Sequence, residues 1–542
     1  MNSNAQELQA VERAESELVD ESATFFAPVS SDMLDGLLGQ YQAHKRGIEQ
    51  LAEALLGDEF RAAMSYFLEA SEVRGGHYLS LSSLANVDAA IAVLDASYWS
   101  KALALTDVLD CMPQSRRDEW NKAISERKTV PFAEEAVRPT IADMLASRHK
   151  YFCERVDGIF RGLSGTHVTN EPQGFSKRMI LSYVLRDGYP NHSRAGLIND
   201  LRSVIGTFMD RPGLKHYETG NLLRRIAESH AWGEWHDIDG GAVRIRIYRG
   251  VGTAHVEIHP DVAYRLNGVL ASLYPTAIPA KFRTRPKSKS KTFKLMERPL
   301  PFAVLRLLEA GGVGRHEAAG TWEFSFSYSG KDEGKPAVRE TERVLESIGG
   351  VPSKYGFMFD YNPTAVLNTI RISGCIPDAA SFQYYPTPIT VAEAADEMLG
   401  ADQPGDAYLE PSAGIGGLAA LLPRDRTTCV EISSLRCGVL RARGYQAQQA
   451  DFIEWAAAAR AGSTRWNKCL MNPPYADGRA LAHLQEASTL VRAGGRIVAI
   501  LPASMRGKDL LEGWEGEWSS VFSNEFAGTG VSVAIYAASC PR

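Results

Sequence analysis

The chain has 542 residues, 44% hydrophobic and 23% charged, with a formal net charge of −6, a length that accommodates three or four domains with substantial cores. A mildly acidic total excludes a surface that wraps polyanions wholesale, so any nucleic-acid contact has to come from a local patch. No run approaches about 18 uninterrupted apolar residues, and no basic segment leads into an apolar one at the start, so the expectation is a cytoplasmic chain, neither exported nor membrane-spanning. The seven cysteines are scattered without a CxxC pair and read as small hydrophobes in a reducing compartment.

In chain order, residues 1–24 carry six acids against one arginine and form an acidic tail, either a solvated helix or a disordered segment. From Ser30 to about Tyr183 apolar residues recur at three-and-four spacing, in Met33 to Leu56, Phe60 to Leu68, Ala90 to Leu109 and Ile141 to Phe160, which predicts helices. Pro131 and Pro139 stand ahead of the last of these. Between Trp232 and His259 the period changes to two, as in Val243, Ile245 and Ile247, and predicts strands. The hairpin turns at Gly250-Val251-Gly252, and Pro260 to Tyr274 returns to a helix. His255 and His259, with His230 and His236 upstream, invite a zinc site, but a spacing of four on a strand supplies no sulfur or carboxylate ligand, and no metal is assigned.

One local basic tract follows: Lys281, Arg283, Arg285, Lys287, Lys289, Lys291 and Lys294, with no acid between them. If the segment is extended, alternation from 281 to 291 puts these charges on one face about 6.8 Å apart, near the phosphate spacing of a strand. A solvated loop is the competing reading. Residues 25–295 are thus a helical, then α+β accessory region. Residues 296–380 read as an α/β adaptor, with helices at Val304 to Ala310, Ala337 to Ile348 and Asn362 to Ile372 and strands at Trp322 to Tyr328 and Tyr355 to Phe359.

The chemistry-bearing motifs lie in residues 381–542. In Leu409-Glu410-Pro411-Ser412-Ala413-Gly414-Ile415-Gly416-Gly417, an extended segment runs into a glycine turn and then a short apolar helix; Gly414 and Gly416 let a ligand lie against the backbone at the carboxyl end of a parallel strand. About 20 residues on, the strand Thr428 to Ile432 places Glu431 where an acid can bind ribose hydroxyls. A third strand ends at Asp451-Phe452, an acid and an aromatic suited to an adenine amine and ring. After the apolar run Cys469-Leu470-Met471 comes Asn472-Pro473-Pro474-Tyr475. Two prolines continue neither sheet nor helix, so the chain leaves the strand as a stiff loop with Asn472 and Tyr475 held at its ends. An amide oxygen and a backbone carbonyl there can accept both N–H bonds of an exocyclic amine while the ring stacks on the base. Taken singly, each motif also reads as an ordinary strand-end cap or proline turn; their order in one doubly wound pattern favours the functional reading.

These motifs resemble class I S-adenosylmethionine-dependent methyltransferases of the DNA N6-adenine, NPPY type. Phe382-Gln383-Tyr384-Tyr385-Pro386-Thr387-Pro388 is similar to the family's leading segment, which closes over the cofactor. Ala482 to Ala487, Gly494 to Pro502, and Phe526 to Val531 with Ser532 to Ala537 resemble its next helix, strand and closing hairpin. The resemblance implies a fold class of α/β with a C-terminal doubly wound, Rossmann-like domain, preceded by a mainly helical and a mixed α+β region. It implies S-adenosylmethionine held by Tyr385, Pro386, Thr387, Glu410, Pro411, Ser412, Ala413, Gly414, Gly416, Glu431, Ile432, Asp451, Phe452 and Asn472. Catalysis falls to Asn472, Pro473, Pro474 and Tyr475, on an adenine flipped out of DNA. Residues 85–295 resemble an uncharacterised domain found ahead of such enzymes in phage and plasmid chains, through Gly174 to Ile180 and Asn267 to Ala271.

DNA is the expected partner, with Lys281, Arg283, Arg285, Lys287, Lys289 and Lys291 as contacts, and modification or anti-restriction the expected role. The same loop also serves RNA-base and protein-glutamine methyltransferases, and a non-catalytic DNA-binding protein on the same scaffold is the remaining alternative. In the family arrangement a target-recognition domain usually follows the catalytic one, whereas the sequence here ends at Arg542 just after the closing hairpin, so recognition is expected from the first 380 residues or is expected to be weak.

Overall fold

Helical periodicity in the first third of the chain becomes a layered helical region in the computed structural model, which describes residues 31–72, 85–105, 108–162, 174–175, 178–229, 231–250, 252–274, 278–286, 295–296, 299–316, 320–327, 333–376, 385–462, 464–526 and 530–541. The acidic tail, Phe382 to Tyr384 and Lys287, Lys289 and Lys291 lie outside the described residues. The chain divides into two units, Met1–Arg298 and Pro299–Arg542.

The first unit opens with helices α1 (Ser31–Leu56), α2 (Asp58–Glu72), α3 (Val87–Leu105), a single turn α4 (Val108–Cys111), α5 (Gln114–Ser125), α6 (Glu134–Ala146) and α7 (Arg148–Gly162). Tyr41 of α1, Tyr98 and Trp99 of α3 and Phe132 form its aromatic centre. Buried Asp95 fixes that centre, accepting hydrogen bonds from Tyr41 Oη at 2.7 Å and Phe132 N at 2.8 Å. Pro139 does not precede its helix but sits inside α6. It is exposed there, so water can serve the carbonyl that its missing N–H leaves unpaired.

Next come β1 (Met179–Leu181), a small hairpin of β2 (Leu185–Arg186) and β3 (Tyr189–Pro190), and helices α8 (His192–Phe208) and α9 (Glu218–Glu228). The strands β4 (His236–Ile238), β5 (Val243–Tyr248) and β6 (Thr253–Ile258) follow, and then α10 (Pro260–Leu273). The sheet runs β1-β6-β5-β4, antiparallel throughout, and buries Val243, Ile245 and Ile247 with Ala254, Val256 and Ile258 on one face. His255 and His259 do not share a strand face: His259 is the N-cap of α10, its ring accepting from Asp261 N at 3.2 Å. No group of three metal-ligating side chains occurs among the described residues.

In the second unit α11 (Phe302–Ala310) and α12 (Lys335–Ser347) accompany an antiparallel sheet β7-β8-β10-β9, made of β7 (Gly312–His316), β8 (Thr321–Ser325), β9 (Val351–Pro352) and β10 (Gly356–Phe359). α13 (Thr364–Ser373) stops at Gly374, whose φ of 67° is the left-handed cap that glycine adopts without strain.

The main sheet of this unit is built from β11 (Tyr408–Pro411), β12 (Thr427–Glu431), β13 (Gln446–Gln449), β14 (Trp466–Met471), β15 (Val491–Pro502), β16 (Glu515–Phe522) and β17 (Val533–Ser539). Their order is β13-β12-β11-β14-β15-β17-β16. The first five are parallel, and β17 runs antiparallel between β15 and β16. Helices α14 (Ile389–Leu399) and α15 (Ser434–Ala442) cover one face, with α16 (Phe452–Ala461) and α17 (Arg479–Ser488) on the other. In β15 the alternation is direct: Ile497, Ala499 and Leu501 pack with α17 residues, and Val498 and Ile500 with α14. This is the doubly wound architecture expected for this region. Among the described residues no helix is long and apolar enough to cross a membrane.

Candidate functional site

The order of neighbouring strands reverses direction between β11 and β14, and a crevice opens at the carboxyl ends of strands at such a switch point. Residues singled out in the sequence lie at those ends: Pro411 at the end of β11 with Ser412 to Gly417 after it, Glu431 at the end of β12, Asp451 after β13 and Asn472 after β14.

The turn after β11 is tightly held. Ser412 has φ 57°, Gly414 57° and Gly416 90°. A Cβ on Gly416 would meet Leu440 at 2.9 Å as well as straining the backbone. Glu431 ties this turn to β12, its carboxylate accepting from Gly414 N and Ser433 N, each at 2.8 Å. Burial pushes the Glu431 carboxyl up, opposed by the backbone donors and by the Arg436 guanidinium. Glu410 is 2% exposed; burial, with the neighbouring Glu431 adding to it, drives its carboxyl well above the ordinary range. It lies beneath the turn, with Cys429 Sγ 4.0 Å from its Oε2.

Asp451 is the N-cap of α16, and one of its oxygens accepts from Ile453 N at 2.9 Å. Its neighbour Phe452 is buried in the core, its ring 5.2 Å from that of His483. Ile432, beside Glu431, stays 41% exposed, an apolar side chain left uncovered at the strand end.

After β14, Asn472 Nδ2 donates to Thr387 Oγ1 at 3.0 Å and Asn472 Oδ1 accepts from Tyr475 Oη at 2.8 Å. The Tyr475 hydroxyl is also 3.4 Å from Ile500 O, and burial pushes its ionisation up. Thr387 thus holds the nitrogen end of the amide and Tyr475 covers its oxygen. Pro473 is buried and Pro474 half-buried, fixing the loop between them. Tyr385 and Pro386 are exposed.

Sequence reading missed His483. It projects from α17 to within 3.2 Å of Ser412 Oγ, is 4% exposed, and is held down to about 4 by burial, partly opposed by Asp451. A lone histidine on an apolar helix face reads as core, and its partner lies 71 positions earlier.

The basic tract is not extended at its start. Pro279 opens a 3-10 turn over Ala280–Phe282, and Arg283 continues with helical dihedrals, which breaks the period-two alternation. Lys281 and Arg285 are exposed, while Arg283 is half-buried.

Among known families, the profile of a domain of unknown function (DUF4942) matches residues 91–276. No curated protein matches. Solved structures with likeness to the chain include a hypothetical protein of Thermus thermophilus, 22% identical over 29% of this chain and 88% of that one with a TM-score of 0.23. Others are a precorrin-6y C5,15-methyltransferase of Geobacter metallireducens (16% identity, 28% and 87% of the chains, TM-score 0.22) and an rRNA methylase of Streptococcus thermophilus (10%, 29% and 98%, TM-score 0.21).

Proposed function

We propose that residues 381–542 form an S-adenosylmethionine-dependent methyltransferase that acts on the exocyclic amine of adenine in DNA. The observation that carries this reading is Asn472, held by Thr387 at the switch point of a doubly wound sheet, with acids at the ends of β12 and β13.

The residues present fit the cofactor. Gly414 and Gly416 leave two positions of the turn without a side chain, Glu431 keeps acceptor capacity beyond its backbone donors for ribose hydroxyls, Asp451 has one oxygen outside its cap, and exposed Ile432 offers an apolar surface to the adenine. When bound, S-adenosylmethionine supplies an activated methyl group on a sulfonium.

Asn472 and the Pro473 carbonyl accept from the substrate amine and draw its nitrogen lone pair out of the ring. Such a step depends on position and hydrogen bonding, without a tuned base. Tyr475 offers its ring to the flipped base. The buried sheet behind the loop excludes water. Calorimetry tests the cofactor assignment: Glu431→Ala and Asp451→Ala should each weaken S-adenosylmethionine binding about tenfold or more, as expected for a lost charged acceptor. Unchanged affinity in both would place the pocket elsewhere.

A further inference from the structure

The four-stranded sheet of the first unit has a second face. Opposite its buried aliphatic side, β5 presents Arg244, Arg246 and Tyr248, and β6 presents Thr253, His255 and Glu257, paired Arg244 with Glu257, Arg246 with His255 and Tyr248 with Thr253. Trp235, just before β4, stacks on the same row, with the Arg246 guanidinium carbon 4.7 Å and that of Arg244 5.1 Å from its ring centre. Tyr248 flanks Arg246 at 5.2 Å and meets the His255 ring edge-on at 4.8 Å.

The two arginines differ. Arg244 is neutralised by Glu257, its Nε donating at 2.7 Å. Arg246 has no carboxylate partner among the described residues, and its Nε is buried without a hydrogen-bond partner. The rings offset part of the cost of desolvating that guanidinium, but they cover its faces and leave its edge of N–H donors unused. One more buried nitrogen without a partner, Trp232 Nε1, belongs to the segment beside β5, where Gly233 N donates to Ile247 O at 2.9 Å; on β4, Asp237 stands opposite Arg244 on this face. A guanidinium and an indole N–H only donate, so the unmet demand around Arg246 is for acceptors, while Glu257 and Asp237 answer the charge of Arg244.

We infer that this face binds the phosphodiester backbone of DNA, with Arg246 as the anchoring cation between Trp235 and Tyr248. A planar guanidinium edge matches two phosphate oxygens, and aromatic rings interleaved with arginine suit a nucleic-acid strand. The inference rests on DNA being the substrate of the catalytic unit.

The test is fluorescence anisotropy with the full chain and a labelled mixed-sequence duplex at several salt concentrations. Arg246→Ala should weaken binding about tenfold or more and flatten the slope of log K against log salt by up to about 0.9. Arg246→Lys, which keeps the charge but not the fork, should fall between. Thr253→Glu adds a repelling charge to the face without removing a packing group and should weaken binding as well, so a poorly folded Arg246→Ala does not decide the matter; melting curves identify that case. If the wild-type chain binds duplex DNA and Arg246→Lys and Thr253→Glu leave affinity and slope unaltered, the face is not the DNA site, whatever the catalytic unit does. If the wild-type chain binds RNA or an acidic protein instead of DNA, the inference falls together with the substrate reading.

Discussion

Tyr475 sits on the Asn472 oxygen that the proposed function assigns to the substrate amine. Its hydroxyl donates to Asn472 Oδ1 at 2.8 Å, while Thr387 accepts from the other end of the same amide at 3.0 Å. The two contacts have opposite consequences for turnover. Replacing Tyr475 by Phe frees Oδ1 and keeps the ring, so methyl transfer should stay within a few-fold of wild type while stability drops by about 1 kcal/mol for the lost hydrogen bond. Replacing Thr387 by Val keeps the shape but leaves Asn472 Nδ2 unpaired and free to turn, so turnover at saturating cofactor should fall about tenfold, the equivalent of about 1.4 kcal/mol in the barrier. Single-turnover rates and melting temperatures on the two variants check this; a slower Tyr475→Phe beside a normal Thr387→Val would reverse the assignment. Asn472, Glu431 and Asp451 stood out in the sequence through the order of their motifs in one doubly wound pattern, since each taken singly also reads as a proline turn or a strand-end cap. That Tyr475 bonds to Asn472 was not legible, since it depends on how the loop folds back.

At the scale of elements, α17 contributes more than packing. It brings His483 against Ser412 Oγ at 3.2 Å and against the Phe452 ring, under a turn whose Ser412 has φ 57°. Burial holds the imidazole neutral, its titration lowered from 6.5 to about 4, with Asp451 opposing the shift and Arg479 adding to it. The unfolded chain therefore binds more protons than the folded one between these values. The stability this neutral histidine contributes is complete above pH 6.5 and is lost as the pH falls towards 4, by up to about 3 kcal/mol. His483→Gln, which keeps a donor and acceptor for Ser412, should melt with a shallower loss of stability over that range; parallel slopes for the two proteins would show that His483 does not titrate on unfolding. Elements whose side-chain period matches their surroundings were readable from the sequence, as with β5 and α10. The helices α8 and α9 were not: α8 buries Asn199, Asp200 and Arg202, polar residues that break the apolar period and are satisfied only by distant partners such as Asp239, Thr219 and Arg117.

For the whole molecule, the doubly wound sheet was legible because a recognisable motif stands at one strand end after another along the chain, whereas the accessory region offers only Gly174 to Ile180 and Asn267 to Ala271. The basic tract shows the limit of counting alternation: Pro279 starts a turn that the charges alone do not reveal. If the tract nevertheless contacts phosphates, neutralising Lys287, Lys289 and Lys291 together should weaken DNA binding equally for all sequences and flatten the salt slope by up to about 0.9 for each lost contact. An unaltered slope would mean a solvated loop. The central claim is methyl transfer to adenine N6 through Asn472, and the most direct measurement is mass spectrometry of nucleosides from duplex DNA incubated with the full chain and S-adenosylmethionine. N6-methyladenine is expected with the wild-type chain and none with Asn472→Ala, although that variant should still bind the cofactor with near wild-type affinity. N6-methyladenine formed equally well by Asn472→Ala, or a methyl group found only on RNA or protein, would contradict that claim.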